Sequence, residues 1–209
     1  MFYQDKIDKE LRFGDVLEGF IFLTSLSIRE PKMFKKCSLN IEIPKYCVLI
    51  TPCCSIHNKI LTICPLKKVR NTFFGNPYFK ENLTNINRLM EPKNVLPPYK
   101  WVTLTQEQKE NRLRVGMTFA FLELFIYEKS SFFEECEVNI KNEENIKTSY
   151  YMIDFRDTYK VDCLKLSNFE EELINLKHLQ LSIETRSELR NKISDYYFRA
   201  PEEDEILED

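Results

Sequence analysis

Lys45-Tyr46-Cys47-Val48-Leu49-Ile50-Thr51-Pro52-Cys53-Cys54-Ser55-Ile56-His57-Asn58-Lys59-Ile60-Leu61-Thr62-Ile63-Cys64-Pro65-Leu66 sets two apolar runs around a short polar turn. The first run, Tyr46 to Ile50, has no polar alternation and is short enough for a strand buried on both faces. Lys59 to Leu66 then pairs back across Pro52 to Asn58 as the second arm of a hairpin. Four of the seven cysteines and one of the two histidines fall in this stretch, so chemistry would sit at its turn.

Working outward, Phe13 to Leu23 opens on the turn signal Gly14-Asp15 and continues β-rich, with Gly19 a bulge or close-packing point. Ser38 to Ile43 alternates before Pro44. The segment 67–98 is rich in Asn and Pro and reads as a long insertion with a short helix near Glu81 to Met90. Trp101 to Leu104 alternates as a strand, and Thr105 with Gln108 forms a capping box for a helix through Arg112. Gly116 to Tyr127 reads as a central strand, with a buried helix permitted by its length. Glu134 to Asn145 is an acidic surface connection, and Tyr150 to Phe155 returns as a strand. After Ser167 the period lengthens: Phe169, Leu173, Ile174 and Leu176 suit a short helix. Ser182 caps a longer one in which Leu189, Ile193, Tyr196 and Tyr197 form one stripe.

These elements predict an α+β fold, a mostly antiparallel β body of six to seven strands over residues 1–165, closed by two C-terminal helices. Residues 166–209, helical cap and acidic tail, pack on the same domain. At 209 residues, with 43% hydrophobic and 30% charged residues, the chain suits one core. No run approaches the length of apolar residues that crosses a bilayer, and Met1 to Arg12 has no signal-peptide core, so no membrane association and a cytoplasmic location are expected. Seven irregularly spaced cysteines then predict reduced thiols rather than a disulfide framework.

The net charge of −3 conceals a basic middle: Lys59 to Arg114 carries eleven Lys or Arg against four Glu. Pro201 to Asp209 carries six acids and no base. Solvated surface accounts for such runs; so does a cationic patch for phosphates, shielded or not by the acidic tail. Lys67, Lys68 and Arg70, with Phe73, Phe74 and Trp101 for stacking, have the composition of a single-stranded nucleic-acid surface. Core packing explains the aromatics equally well.

Gly14-Asp15 opening a strand, Pro44 before the buried run, and Ile60 to Ile63 leading into Cys64-Pro65 resemble the SH3-like barrels of the PemK/MazF toxin family. The resemblance covers the first third of the chain. It implies a small barrel that forms a homodimer and an endoribonuclease acting on single-stranded RNA. That family places Arg before the first Pro, where this chain has Ile43-Pro44-Lys45, and Thr or Ser after the second, where this chain has Leu66. Thr51-Pro52-Cys53-Cys54-Ser55, the Met152 to Asp157 segment and the Arg186 to Arg199 helix are also similar to uncharacterised bacterial barrel proteins whose comparable strand ends in Cys-Asp.

Several chemistries follow. Cys53, Cys54, His57 and Cys64 are candidate ligands of a tetrahedral zinc, although no paired CxxC is present and adjacent extended cysteines face opposite ways. Cys47 and Cys64 also read as core fillers. Cys53 or Cys54 could act as nucleophile with His57 as base. His178 reads as a surface or helix-end residue. Asp154, Arg156 and Asp157 form a polar cluster at a strand end that could bind phosphate or metal, or close a turn as an ion pair. The leading expectation is a non-catalytic binding or regulatory component of a bacterial toxin–antitoxin or phage-defence system, with no cofactor, engaging protein or single-stranded RNA. The alternatives are an altered PemK/MazF-like ribonuclease, using Lys67, Lys68 and Arg70 for phosphate and His57 and Cys54 for catalysis, and a zinc-stabilised structural module.

Overall fold

A computed structural model describes residues 1–19, 22–28, 37–88, 96, 98–115, 121–139 and 145–198. In chain order the strands and helices are β1 (Val16–Glu18), β2 (Phe22–Ile28), β3 (Cys37–Glu42), β4 (Tyr46–Leu49), β5 (Ile60–Pro65), β6 (Lys67–Lys68), α1 (Pro77–Glu81), α2 (Pro98–Trp101) and α3 (Gln106–Val115). They continue as β7 (Leu124–Tyr127), β8 (Cys136–Val138), β9 (Ile146–Thr148), β10 (Tyr151–Asp154), β11 (Tyr159–Asp162), α4 (Phe169–Asn175), β12 (Lys177–Leu179) and α5 (Ile183–Phe198). The fold is mixed α and β with antiparallel sheets. A five-stranded sheet has the order β11-β5-β4-β1-β12 and a three-stranded sheet the order β6-β10-β7, while β2–β3 and β8–β9 form two separate hairpins.

The hairpin of β4 and β5 forms as expected, pairing Cys47 with Pro65, Val48 with Cys64 and Leu49 with Ile63. Its apolar run lacks alternation because both faces are buried. Cys47 and Leu49 pack with Leu17, Leu61, Phe169 and Leu173, whereas Tyr46 and Val48 pack with Phe125, Ile153 and Leu189. The Gly14-Asp15 turn locks onto this strand: Gly14 N–H donates to Leu49 O at 2.7 Å and Leu49 N–H to Asp15 O at 2.9 Å. Gly14 has φ +87°, and a Cβ there would stand 2.6 Å from Leu181 Cδ1, so no other residue fits this turn unaltered.

The stretch after β6 folds as a helical lobe on the three-stranded sheet. Phe73, Phe74, Tyr78, Phe79, Leu83, Ile86 and Trp101 share one core with Leu124, Ile126 and Met152. The helix expected near Glu81 to Met90 is displaced. α1 ends at Glu81, and Asn82 starts a new 3-10 turn over Leu83–Asn87 by accepting Thr84 N–H at 3.0 Å. Short Asn side chains compete for backbone donors, and here they win over helix continuation. Met90 lies outside the described residues. Trp101 to Leu104 is not a strand: Pro98 opens α2, and Trp101 ends it with its ring edge-on to Tyr78, centroids 5.0 Å apart. The capping box is present, with Thr105 N–H donating to Gln108 Oε1 at 2.9 Å and Gln108 N–H to Thr105 Oγ1 at 3.2 Å. Of the expected strand Gly116 to Tyr127, β7 is the last part, and 116–120 lie outside the described residues.

Two further expectations change. The acidic connection Glu134 to Asn145 contributes β8, whose partner is β9. The C-terminal cap is not purely helical: between α4 and α5 the chain inserts β12 against β1 at the sheet edge. Among the described residues twelve strands replace six or seven, because several are two or three residues long, too short to carry a period. α5 begins as read, with Thr185 N–H donating to Ser182 Oγ at 3.2 Å. The acidic tail after Phe198 lies outside the described residues.

Candidate functional site

The hairpin tip coils into a 3-10 turn over Cys53–Asn58, closed by Lys59 at φ +57°. Cys53, Cys54 and His57 are exposed there. Cys53 Sγ accepts the Phe13 N–H at 3.4 Å. A depression of about 180 Å3 is lined by Cys53, His57, Lys9, Glu10 and Glu170, and a second of about 300 Å3 shares His57 and Glu170. Cys64 does not join them. It faces the opposite side of the sheet from Ile56, fully buried, with its thiol donating to Asp154 O at 3.2 Å and pushed up to about 12 by burial. Among the described residues, no three His, Cys, Asp or Glu side chains stand close enough to hold one metal ion.

β5 also separates the two halves of the ribonuclease reading. His57 precedes the strand and Lys67 follows it, so six extended residues lie between, roughly 20 Å at the rise of a strand.

At the far end of β5 the structure builds a denser arrangement. β6 pairs with β10, Lys67 opposite Met152 and Lys68 opposite Tyr151, which sets the basic stretch beside the turn that follows β10. Lys67 Nζ reaches Asp157 Oδ2 at 2.9 Å and Arg70 Nη2 reaches Asp154 Oδ2 at 3.3 Å. Arg156 folds back on Asp154 with Nε to Oδ1 at 2.8 Å and Nη2 to Oδ2 at 2.5 Å, while its own N–H donates to Oδ1 at 3.1 Å. Burial acts to raise the Asp154 carboxyl, but the bonds from Arg156 and the charge of Arg70 outweigh it and hold the group below its ordinary value. Asp154 is thus an ionised, buried anchor that fixes the fork of Arg156.

This cluster unites Lys67, Arg70, Asp154, Arg156 and Asp157, read from sequence as two unrelated groups. Three cations surround two carboxylates, and the Arg156 side chain is 54% exposed, with the charge of Glu123 also acting on it. Lys68, the next residue along β6, projects to the opposite face, where its charge acts on Glu134 and Cys136. The aromatic partner differs from expectation. Trp101 is buried, with Lys109 Nζ 5.3 Å from its ring centroid, and Phe73 and Phe74 are core residues. Instead Tyr197, 57% exposed on α5, donates its hydroxyl to Phe155 O at 3.0 Å, one residue from Arg156. Its signal in the sequence was ambiguous, because Tyr197 falls on the shoulder of the apolar stripe of α5. A second exposed ring, Tyr99, adjoins Lys100; it stands two residues from Trp101 and therefore on the opposite side of α2.

His178 lies in β12, stacked on Phe132 at 4.4 Å, with Nε2 3.0 Å from Glu18 Oε2, in a strand rather than at a helix end. No helix among the described residues is long and apolar enough to cross a membrane. No protein-family model, curated protein or solved structure matches this chain.

Proposed function

We propose that the protein is a non-catalytic binding component that engages single-stranded nucleic acid at the end of β6. Lys67, Arg70 and Arg156 meet the phosphates, and the exposed ring of Tyr197 offers a face on which a base stacks. The observation that carries this reading is the convergence of three cations, two of them ordered by a buried carboxylate, beside an exposed aromatic residue. An ordered guanidinium loses less freedom on meeting a phosphate oxygen than a freely rotating one. Within this reading the two larger sheets form a body of the SH3-like barrel type, and the protein serves a bacterial cytoplasmic system of the toxin–antitoxin or phage-defence kind, as its likeness to PemK/MazF-type chains suggests.

Fluorescence anisotropy with a labelled single-stranded RNA, read across a salt series, tests the proposal. Binding that weakens linearly in a log–log plot, with a slope of about −0.7 per phosphate neutralised, is expected. Arg156→Gln, a change at the exposed fork of the cluster, reduces both affinity and slope. Tyr197→Ala weakens binding with the slope retained, by about 1–3 kcal/mol for one stacked base. The RNA stays intact, and His57→Ala binds as the parent does. Absence of binding at low salt overturns the reading; cleavage abolished by His57→Ala replaces it with the ribonuclease one.

A further inference from the structure

β11 is an edge of the five-stranded sheet: it pairs with β5 and, among the described residues, with no strand on its other flank. The direction of its free backbone groups follows from one bond. Cys163 N–H donates to Lys59 O at 2.8 Å, so by antiparallel alternation Val161 also turns its N–H and C=O toward β5. The groups of Lys160 and Asp162 therefore point outward. Their side chains share the exposed face of the strand, whereas Tyr159 and Val161 pack against the core formed with Phe169 and Leu173.

This pattern is complementary to itself. Consider a second β11 running antiparallel with Val161 opposite Val161. Lys160 of each copy then stands opposite Asp162 of the other, and these are the residues whose backbone groups face outward. Two hydrogen-bonded residue pairs form in the ladder, and two Lys–Asp pairs form on the exposed face. A parallel in-register arrangement would set Lys against Lys. We propose that two copies of this chain join at β11 about a two-fold axis, making the five-stranded sheet continuous across the dimer.

Lys160 makes no hydrogen bond or ion pair among the described residues, and Asp162 spends only one oxygen, on Leu164 N–H at 2.8 Å. Both side chains are thus available to a partner. Ile60 (48% exposed) and Leu164 (58% exposed) flank the pair and supply apolar contact at the ends of the junction. A lysine on an edge commonly guards against pairing. Placed two residues from an aspartate on the same face, it selects one register of self-pairing instead. The proposal goes beyond nucleic-acid binding and is independent of it, because the β11 edge contains none of the residues assigned to that surface.

Sedimentation velocity of the full chain over a range of concentrations tests it. The parent is expected to show reversible monomer–dimer exchange. Lys160→Asp makes the face uniformly acidic and Asp162→Lys makes it uniformly basic; each alone weakens self-association by about tenfold or more. Mixed in equal amounts, the two variants form a heterodimer, and the double exchange Lys160→Asp/Asp162→Lys recovers the parent's behaviour. Circular dichroism checks that Asp162→Lys, which gives up the bond to Leu164, still folds, and Lys160→Asp carries the test if it does not. A parent that stays monomeric throughout, or a dimer indifferent to Lys160→Asp, overturns the proposal.

Discussion

Lys177 and Lys192 are both buried, and they are held in opposite ways. Lys177, on β12, is surrounded: its Nζ lies 2.8 Å from Asp15 Oδ2, 3.1 Å from Asp8 Oδ1, 2.7 Å from Gln180 Oε1 and 2.7 Å from the carbonyl of Glu10. Lys192, on α5, donates to the carbonyl of Ile86 alone among the described residues, with the charge of Glu123 acting from further away. A saturated ammonium can remain charged in the interior, whereas an unsaturated one is driven toward the neutral form. Burial pulls Lys192 down to about 7. The first lysine fastens the N-terminal segment to the sheet; the second docks the closing helix on the lobe at a cost in charge.

The largest expected effect lies on the saturated side. Lys177→Met leaves the Asp15 carboxylate, which is fully buried, without its cation and strips a partner from Asp8. One Asp15 oxygen already has no hydrogen-bond partner, and the other keeps only the Arg12 N–H at 2.7 Å, with the charge of Arg186 acting from further away. Loss of about 3–5 kcal/mol follows, the usual consequence of breaking one side of a buried pair. Burial already pushes Asp15 up to about 6 against the pull of Lys177, so its removal drives that group further up. Chemical denaturation at neutral pH measures the loss, and a change under about 1 kcal/mol would show that water reaches the site.

Lys192→Met has the opposite sign. It removes an ammonium with one acceptor and keeps most of the volume, so the variant is more stable than the parent by about 1–2 kcal/mol at pH 6. The pH dependence follows from the folded value lying below that of a free lysine, roughly 10.4. The contribution is present in full above the free value and is lost as pH falls through about 7. The parent therefore gains stability relative to the variant between about pH 7 and 10, on top of the decline both share as buried thiols such as Cys64, pushed up to about 12, ionise in the unfolded chain above about 8.5. Urea melts of both chains at several pH values read the difference directly. Parallel curves would mean that Lys192 is solvated or paired in a way that cancels its burial.

Neither lysine stood out in the sequence, and the reason applies to the molecule at large. The β4–β5 hairpin was legible because burial on both faces writes itself as an uninterrupted apolar run. The box of Thr105 and Gln108 was legible because its partners are three residues apart. Trp101 was misplaced on a strand because a four-residue helix is too short to show a period, and of its two readings, stacking surface and core, the structure has the second. The cation cluster was half legible. Lys67 and Arg70 were singled out, as were Asp154, Arg156 and Asp157, but the β6–β10 pairing that joins them spans more than eighty residues and left no local trace. Cys64 went the same way: near the turn in sequence, it is carried by one strand into the core.

The smallest effect sharpens the comparison most, because it separates charge from saturation around Lys177. Asp8 is partly exposed and gives one oxygen to Lys177 and the other to Arg12 Nε at 2.7 Å. Burial acts to raise its carboxyl, but bonds from Arg12, Lys177 and Gln180 outweigh it and hold the group well below the carboxylate range. Such a group adds stability above its unfolded value, about 3.9, and loses it as pH falls through the folded one. Asp8→Asn keeps an acceptor for Lys177 and removes the charge. If saturation is what holds a buried lysine, the cost at neutral pH is about 1 kcal/mol or less, with the acid-side decline reduced, since Asp15 and the neutral acceptors remain. A loss as large as that of Lys177→Met would instead show that the second negative charge is indispensable, and that Lys192 differs from Lys177 in charge compensation rather than in the number of its bonds.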